Sequence, residues 1–220
     1  MGWLITSQVI GSLNSHEYRS YTVIDSDALI HRGQPMSAFP IYTIESTPEQ
    51  SKPSLEALQS AFGIIPNIAG AMATSPVLIG SLVGLFAKVH GGSFSEEQVQ
   101  IVLLTNAVTN ASSWAVAFHS FLAVKEGVDA TDVDAIRERR TPKNAKSAAL
   151  STLARALIEK RGHLNDKDMS AFLDAGFGKD HLLEVIGIVA ASTITNYTGS
   201  VTNPPLEAAF QAYRWRAPTA

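Results

Sequence analysis

The sequence predicts an all-α protein, and three kinds of local signal carry that prediction. Capping side chains stand before apolar runs: Ser95, followed three residues later by Gln98, has the pattern of a capping box. Apolar residues then recur at steps of three and four, as Ile101, Leu104 and Val108 do. Prolines begin such runs and glycines end them. Together these signals divide most of the chain into short helices.

The chain divides into an N-terminal extension, residues 1–50, and a helical domain, residues 51–215. The extension carries strand-like composition at Tyr21–Ile24 and Ile41–Ile44, with Gly and Pro between these segments. We expect it to form an arm lying on the body of the protein or on a neighbouring subunit. The helical pattern starts only after it.

Helices in the first half of the domain each begin at a capping residue or a proline and end at a glycine or an Asn/Ser break. The predicted segments are Ser54–Phe62, Pro66–Thr74, Val77–Val89, Ser95–Asn110 and Ser113–Glu126. The last two are expected to be the centre of the protein.

The second half is interpreted in the same way. Its predicted helices are Thr131–Arg139, Lys143–Lys160, Asn165–Ala175 and Lys179–Asn196, followed by a helical turn within Leu206–Trp215. The basic run Arg137–Arg140 is interpreted as a solvated helix end. The segment Lys179–Asn196 is apolar almost all round, which predicts burial in the core or between subunits.

A weak internal repeat is also present. The predicted helices that end at Asn110 and at Asn196 both finish in Thr-Asn, and both halves carry a helix-Gly-hydrophobe turn, at Gly127 and Gly176. These matches predict a duplicated helical unit.

Composition and the absence of certain motifs exclude several classes of function. The net charge of −3 disfavours nucleic acid or an anionic membrane as partner. The chain has no cysteine, which rules out disulfides, thiolate metal sites and thiol redox chemistry. The histidines lack metal-binding spacing, and no phosphate-binding glycine motif is present, so no metal and no cofactor are expected. Without a signal peptide or a spanning apolar run, we expect a cytoplasmic protein.

The segment Asn110–His119, NASSWAVAFH, resembles the N-x-C-x-x-C-x-x-x-H motif of the carboxymuconolactone decarboxylase and alkylhydroperoxidase D-like superfamily. The similarity extends over about residues 40–215. It implies a carboxymuconolactone decarboxylase-like helical bundle. In the redox members of that superfamily two cysteines form a disulfide and an upstream acid acts with the histidine; here these positions hold Ser112, Ala115 and Gln100. A thiol peroxidase is therefore excluded by residue identity.

The resemblance leaves His119 as the candidate catalytic residue, with Gln100, Ser112, Trp114, Ala115 and Asn196 around a ligand pocket. Three interpretations remain open. His119 could be the general base of a cofactor-free decarboxylation or isomerisation of a small lactone or keto acid. It could pair with Ser112 as in a hydrolase, although about 10 Å of helix separates two such positions. It could also be a buried structural histidine.

Two classes of function follow: a cofactor-free lyase or isomerase, or a catalytically silent small-molecule-binding or structural relative. Charged residues make up only 17% of the chain, so we also expect a homo-oligomer. A dimer, trimer or hexamer would form through Val77–Val89 or Lys179–Asn196.

Overall fold

A computed structural model describes residues 39–217 of the 220-residue chain. In these residues the chain is helical and contains no strand, which confirms the predicted all-α fold class. The nine α-helices of this part are α1 (Lys52–Phe62), α2 (Asn67–Met72), α3 (Pro76–Val89), α4 (Glu96–Thr109), α5 (Ser113–Lys125), α6 (Ala130–Arg137), α7 (Ala145–Glu159), α8 (Asp166–Asp174) and α9 (Lys179–Thr202). Short 3₁₀ helices lie at Glu49–Ser51 and Ala208–Tyr213.

Helix α4 is the central helix. Every residue from Val99 to Val108 is buried. Helices α5, α6, α7 and α9 pack around it, so it has no solvent-facing side over this stretch. Its first turn is fixed by the predicted capping box, in which the Gln98 N–H donates to Ser95 Oγ and the Ser95 N–H donates to Gln98 Oε1 (3.4 and 3.1 Å). The local signal therefore sets where the core helix begins.

The prediction of a strand at Ile41–Ile44 is wrong. Within residues 39–217 this segment has no strand partner and enters a turn, and its one backbone hydrogen bond to the bundle runs from the Tyr42 N–H to Gly70 O at 3.2 Å. Gly70 permits this approach, since a β-carbon there would lie 2.8 Å from Tyr42 O. Alternation of β-branched and aromatic residues is not sufficient for a strand when none of the described residues forms a second strand beside it. The other strand-like segment, Tyr21–Ile24, lies outside the described residues.

Two predicted helix starts are displaced by capping residues that the sequence interpretation missed. Asp129, rather than Thr131, caps α6, with its Oδ1 accepting from the Thr131 N–H at 2.7 Å. Helix α7 starts at Ala145 after the Asn144 cap, two residues later than predicted. The buried carboxylate of Asp132 accepts from the N–H groups of Lys143 and Asn144 (2.6 and 3.2 Å), which holds those residues outside the helix.

Helix α9 is longer than predicted and is not covered on all sides within one chain. It continues to Thr202 and ends where Asn203 takes a left-handed conformation (φ 44°). One stripe of the helix faces solvent: Leu183 is 66% exposed, Tyr197 61% and Val201 66%. With Gly187, Ala190 and Ile194, these residues recur at steps of four and three, the spacing of a helix–helix seam. We refer to these six residues as the α9 stripe.

The duplicated unit remains a prediction, although both of its turn glycines are left-handed, with φ of 99° at Gly127 and 90° at Gly176. Among residues 39–217, no helix is both long enough and apolar enough to cross a membrane.

Candidate functional site

The corner between α4 and α5 is built by a single left-handed residue. Helix α4 ends at Thr109, Ala111 adopts a φ of 54°, and the Ser112 N–H returns to Ala107 O at 2.9 Å. Helix α5 then begins at Ser113 without any side chain capping its first turn. The break predicted at Asn110–Ser113 is therefore present, and it leaves the N-terminal N–H groups of α5 without a capping side chain.

His119 and Gln100 form a buried pair between α5 and α4. His119 Nδ1 lies 3.0 Å from Gln100 Oε1, and the two residues are 1% and 2% exposed. An amide oxygen only accepts, so Nδ1 carries the proton and donates. His119 Nε2 is left as a buried acceptor with no hydrogen-bond partner among the described residues.

Burial keeps the imidazole neutral. Loss of hydration, with a smaller coulombic contribution from His90, lowers the pKa of His119 from 6.5 to about 3. Removal from water disfavours the charged form of histidine, and no carboxylate is bonded to the ring to offset this. The buried pair of Gln100 and His119 is therefore a neutral amide and a neutral ring.

Gln100 also forms part of the wall of an apolar cavity of about 390 Å³, which we call the Gln100 cavity. Helices α1, α3, α4 and α5 line it, and it is open to solvent on one side. Its lining residues include Leu58, Ala61, Phe62, Val83, Phe86, Leu122 and Gln100, with His90, Glu96, Lys125 and Glu126 as the polar lining. His90 Nδ1 and Glu96 Oε2 lie 2.7 Å apart and form a hydrogen bond. His119 does not line this cavity.

Ser112 and Trp114 line a different cavity, of about 360 Å³, at the N-terminus of α5; we call it the α5 cavity. Its other walls come from the end of α9 and from the chain after it, including Gly199, Arg214 and Arg216. The Trp114 indole N–H donates to Glu207 Oε2 at 3.0 Å, which ties α5 to this C-terminal segment. The predicted pocket residues are therefore divided between two cavities.

The remaining predicted pocket residues lie in the interior. Ala115 is fully buried. Asn196 donates from Nδ2 to Asn106 Oδ1 at 3.1 Å, within a buried amide cluster that also includes Asn110. Asn106 in turn donates to Val189 O at 2.8 Å, so this cluster joins α4 to α9. Asn196 lines neither cavity.

The sequence interpretation missed the basic residues of the C-terminal segment and misassigned Arg137. Arg137 is not a solvated helix end: its Nη1 donates to Ser120 Oγ and Tyr213 O, and its Nη2 donates to Arg214 O (2.8, 2.9 and 3.2 Å). The Trp215 indole N–H donates back to Arg137 O at 3.1 Å. The alternation Arg214-Trp215-Arg216 was the available signal, but sequence alone does not show which helix end it meets.

In residues 39–217 no group of three or more His, Asp or Glu side chains is placed to hold a metal ion. No family model matches the chain, and no curated protein matches it.

Solved structures share its fold. The debrominase Bmp8 matches with a TM-score of 0.68 at 19% identity, over 81% of this chain and 96% of Bmp8. An uncharacterised peroxidase-related protein with an alkylhydroperoxidase AhpD core, from Ralstonia eutropha JMP134, matches with a TM-score of 0.67 at 15% identity, over 81% of this chain and 96% of that protein. A peroxidase-related protein from Silicibacter sp. TM1040 matches with a TM-score of 0.68 at 15% identity, over 83% of this chain and all of that protein. The chain therefore has the all-helical alkylhydroperoxidase D-like fold that its Asn110–His119 segment predicted.

Proposed function

We propose that this protein binds a small, largely apolar molecule in the Gln100 cavity and carries out no thiol chemistry on it. The observation that supports this most is the position of Gln100, a buried amide in the wall of an otherwise mainly apolar cavity. Ligand sites typically combine an apolar lining with a few polar groups that fix orientation. The volume of about 390 Å³ suits a compound of one or two rings.

The hydrogen bond to His119 determines what Gln100 offers to a ligand. Its Oε1 is occupied by His119 Nδ1, so the amide nitrogen is the group that is left to donate toward the cavity. The ligand that fits is neutral, apolar over most of its surface, and carries one carbonyl or ring oxygen as acceptor. Aromatic lactones and ketones meet this description. In a protein of the same fold, a variant of the debrominase Bmp8 has been solved in complex with 2,3,4-tribromopyrrole, also a small ring compound.

Coumarin, a neutral aromatic lactone, is a suitable first probe, and binding is measured by native mass spectrometry and calorimetry. Ala61 lines the cavity and is exposed, so Ala61→Trp fills the space without disturbing the core. Gln59→Trp is the matched control, because Gln59 lies on the same helix and does not line the cavity. We expect Ala61→Trp to abolish binding and Gln59→Trp to preserve it.

A second substitution tests the donor. Gln100→Glu keeps an oxygen to accept from His119 Nδ1 but removes the amide hydrogens, so binding should weaken about tenfold, the loss of one buried hydrogen bond. Unchanged binding in both Ala61→Trp and Gln100→Glu would contradict the proposal.

Catalysis by His119 is the second candidate, because its Nε2 is an unpartnered acceptor of the kind a general base requires. A base with a pKa of about 3 takes up protons poorly at neutral pH, and His119 does not line the Gln100 cavity. Binding is therefore the function that the geometry supports best. Turnover of a bound lactone that is lost in His119→Gln, with binding intact, would favour the catalytic alternative.

A further inference from the structure

The α5 cavity has features that the proposed ligand does not use. Helix α5 is 13 residues long, and its N-terminus, which carries a partial positive charge, opens on this cavity. The first N–H of the helix with a backbone acceptor is that of Val116, which donates to Ser112 O at 2.9 Å. The N–H groups of the first turn are thus available to a ligand.

Ser112 supplies an independent polar group at the same place. It is only 2% exposed, and its Oγ has no hydrogen-bond partner among the described residues. This hydroxyl does not cap the helix that it precedes. It faces the space left by Gly199, where a β-carbon would lie 3.4 Å from Ser112 Oγ. A buried hydroxyl without a partner is costly, so a group that binds it would be stabilising.

Two arginines complete the cavity, and the fold holds their backbone in place. Arg137 binds the carbonyl oxygens of Tyr213 and Arg214, and the Trp215 indole N–H binds Arg137 O. This fixes the segment that carries Arg214 and Arg216 beside the start of α5. Arg214 donates to Gln211 Oε1, a neutral acceptor, and within residues 39–217 neither arginine forms a salt bridge with a carboxylate.

The nearby carboxylate is already engaged elsewhere. Glu207 accepts from the Asn67 N–H at 2.6 Å and from the Trp114 indole N–H at 3.0 Å, and it does not line the cavity. Its charge is therefore directed to the start of α2. The polar groups that line the α5 cavity are two arginines, the N-terminus of α5, three serine hydroxyls and the Asn203 amide, and none of the lining residues is acidic.

We propose that the α5 cavity is a second ligand site, which binds a small oxyanion through the α5 N-terminus, Ser112, Arg214 and Arg216. The ligand is the carboxylate or phosphate group of a small molecule. Such groups are the natural partners of a helix N-terminus and of arginine. This site is separate from the Gln100 cavity and does not depend on the function proposed for it.

The test uses inorganic phosphate and acetate at constant ionic strength, with sodium chloride as the balancing salt. Trp114 and Trp215 line the cavity, so two of the three tryptophans of the chain report occupancy by their fluorescence. We expect a saturable change with phosphate, acetate or both, which separates a phosphate-binding from a carboxylate-binding site. Specific binding at its weakest is detectable by ~50 mM ligand. The proposal would be overturned if neither anion produced a saturable fluorescence change up to that concentration.

Variants then locate the site. Arg216→Gln should weaken binding about tenfold and Ser112→Ala about threefold, through loss of a charged and a neutral hydrogen bond respectively. Arg161→Gln is the matched control, because it removes the same charge from an exposed residue outside the cavity. Equal weakening in Arg161→Gln and Arg216→Gln would show a general charge effect and reject the site. Unfolding midpoints of all variants, measured in chloride alone, establish that each one is folded.

Discussion

His119 should make the stability of this protein fall steeply as the solution is acidified. The folded protein holds the ring neutral, with a pKa of about 3, whereas the unfolded chain titrates near 6.5. Below pH 6.5 the unfolded chain therefore binds a proton that the folded protein does not. Stability from this group is fully present above pH 6.5 and is lost as the pH falls toward 3.

The size of the effect follows from proton linkage. Between pH 7 and pH 5, about 1.5 pH units lie below the pKa of His119 in the unfolded chain. Each of these units lowers the free energy of unfolding by ~1.4 kcal/mol, so the protein loses about 2 kcal/mol of stability. Any folded-state pKa below about 4 gives the same loss over this interval.

The assay is urea unfolding followed by circular dichroism at pH 7, 6 and 5, at fixed protein concentration because self-association adds to stability. His119→Gln removes the titrating ring, so the variant should lose about 2 kcal/mol less than the unchanged protein between pH 7 and pH 5. At pH 7 the variant should itself be less stable by about 1–3 kcal/mol, since a flexible amide does not reproduce the geometry of the buried hydrogen bond that the ring makes to Gln100. The other histidines are present in both proteins, so their contributions to the pH dependence of stability cancel in the comparison. Identical pH dependence in the two proteins would refute a buried, neutral His119.

Two further predictions concern assembly and the α4–α5 corner. We propose that the α9 stripe packs against a second copy of the chain, because Leu183, Tyr197 and Val201 in it are exposed and α9 carries no charged residue after Glu184. Leu183→Glu should therefore give a smaller mass by light scattering than the unchanged protein, and a monomeric unchanged protein at micromolar concentration would reject this proposal. The double substitution Ser112→Cys, Ala115→Cys should form an internal disulfide on mild oxidation, as residues one helical turn apart have Cα atoms ~5–5.5 Å from each other; two free thiols that persist under oxidant, by thiol titration, would contradict the assigned corner.

Much of the helical organisation could be predicted from sequence because the residues that begin and end a helix lie within about one turn of its ends. The Ser95–Gln98 capping box and the left-handed Gly127 and Gly176 act within one turn of chain, and each was predicted from adjacent residues. The cap of α6 was misplaced by two residues, from Asp129 to Thr131, but the other errors occurred where a distant residue replaced the local signal. Asp132 holds the N–H groups at the start of α7, and Ile41–Ile44 docks on Gly70 rather than on a strand.

The sequence by itself determined that the chain cannot act as a thiol peroxidase, because no cysteine is present to be oxidised. It also placed Gln100 and His119 together through the resemblance of the α4–α5 corner. Only the tertiary structure decided that Gln100 and Ser112 line separate cavities and that Arg214 and Arg216 meet the start of α5. The reason is physical: burial, cavity walls and the pairing of charges depend on residues up to 140 positions apart, which helix packing brings together and no local pattern encodes.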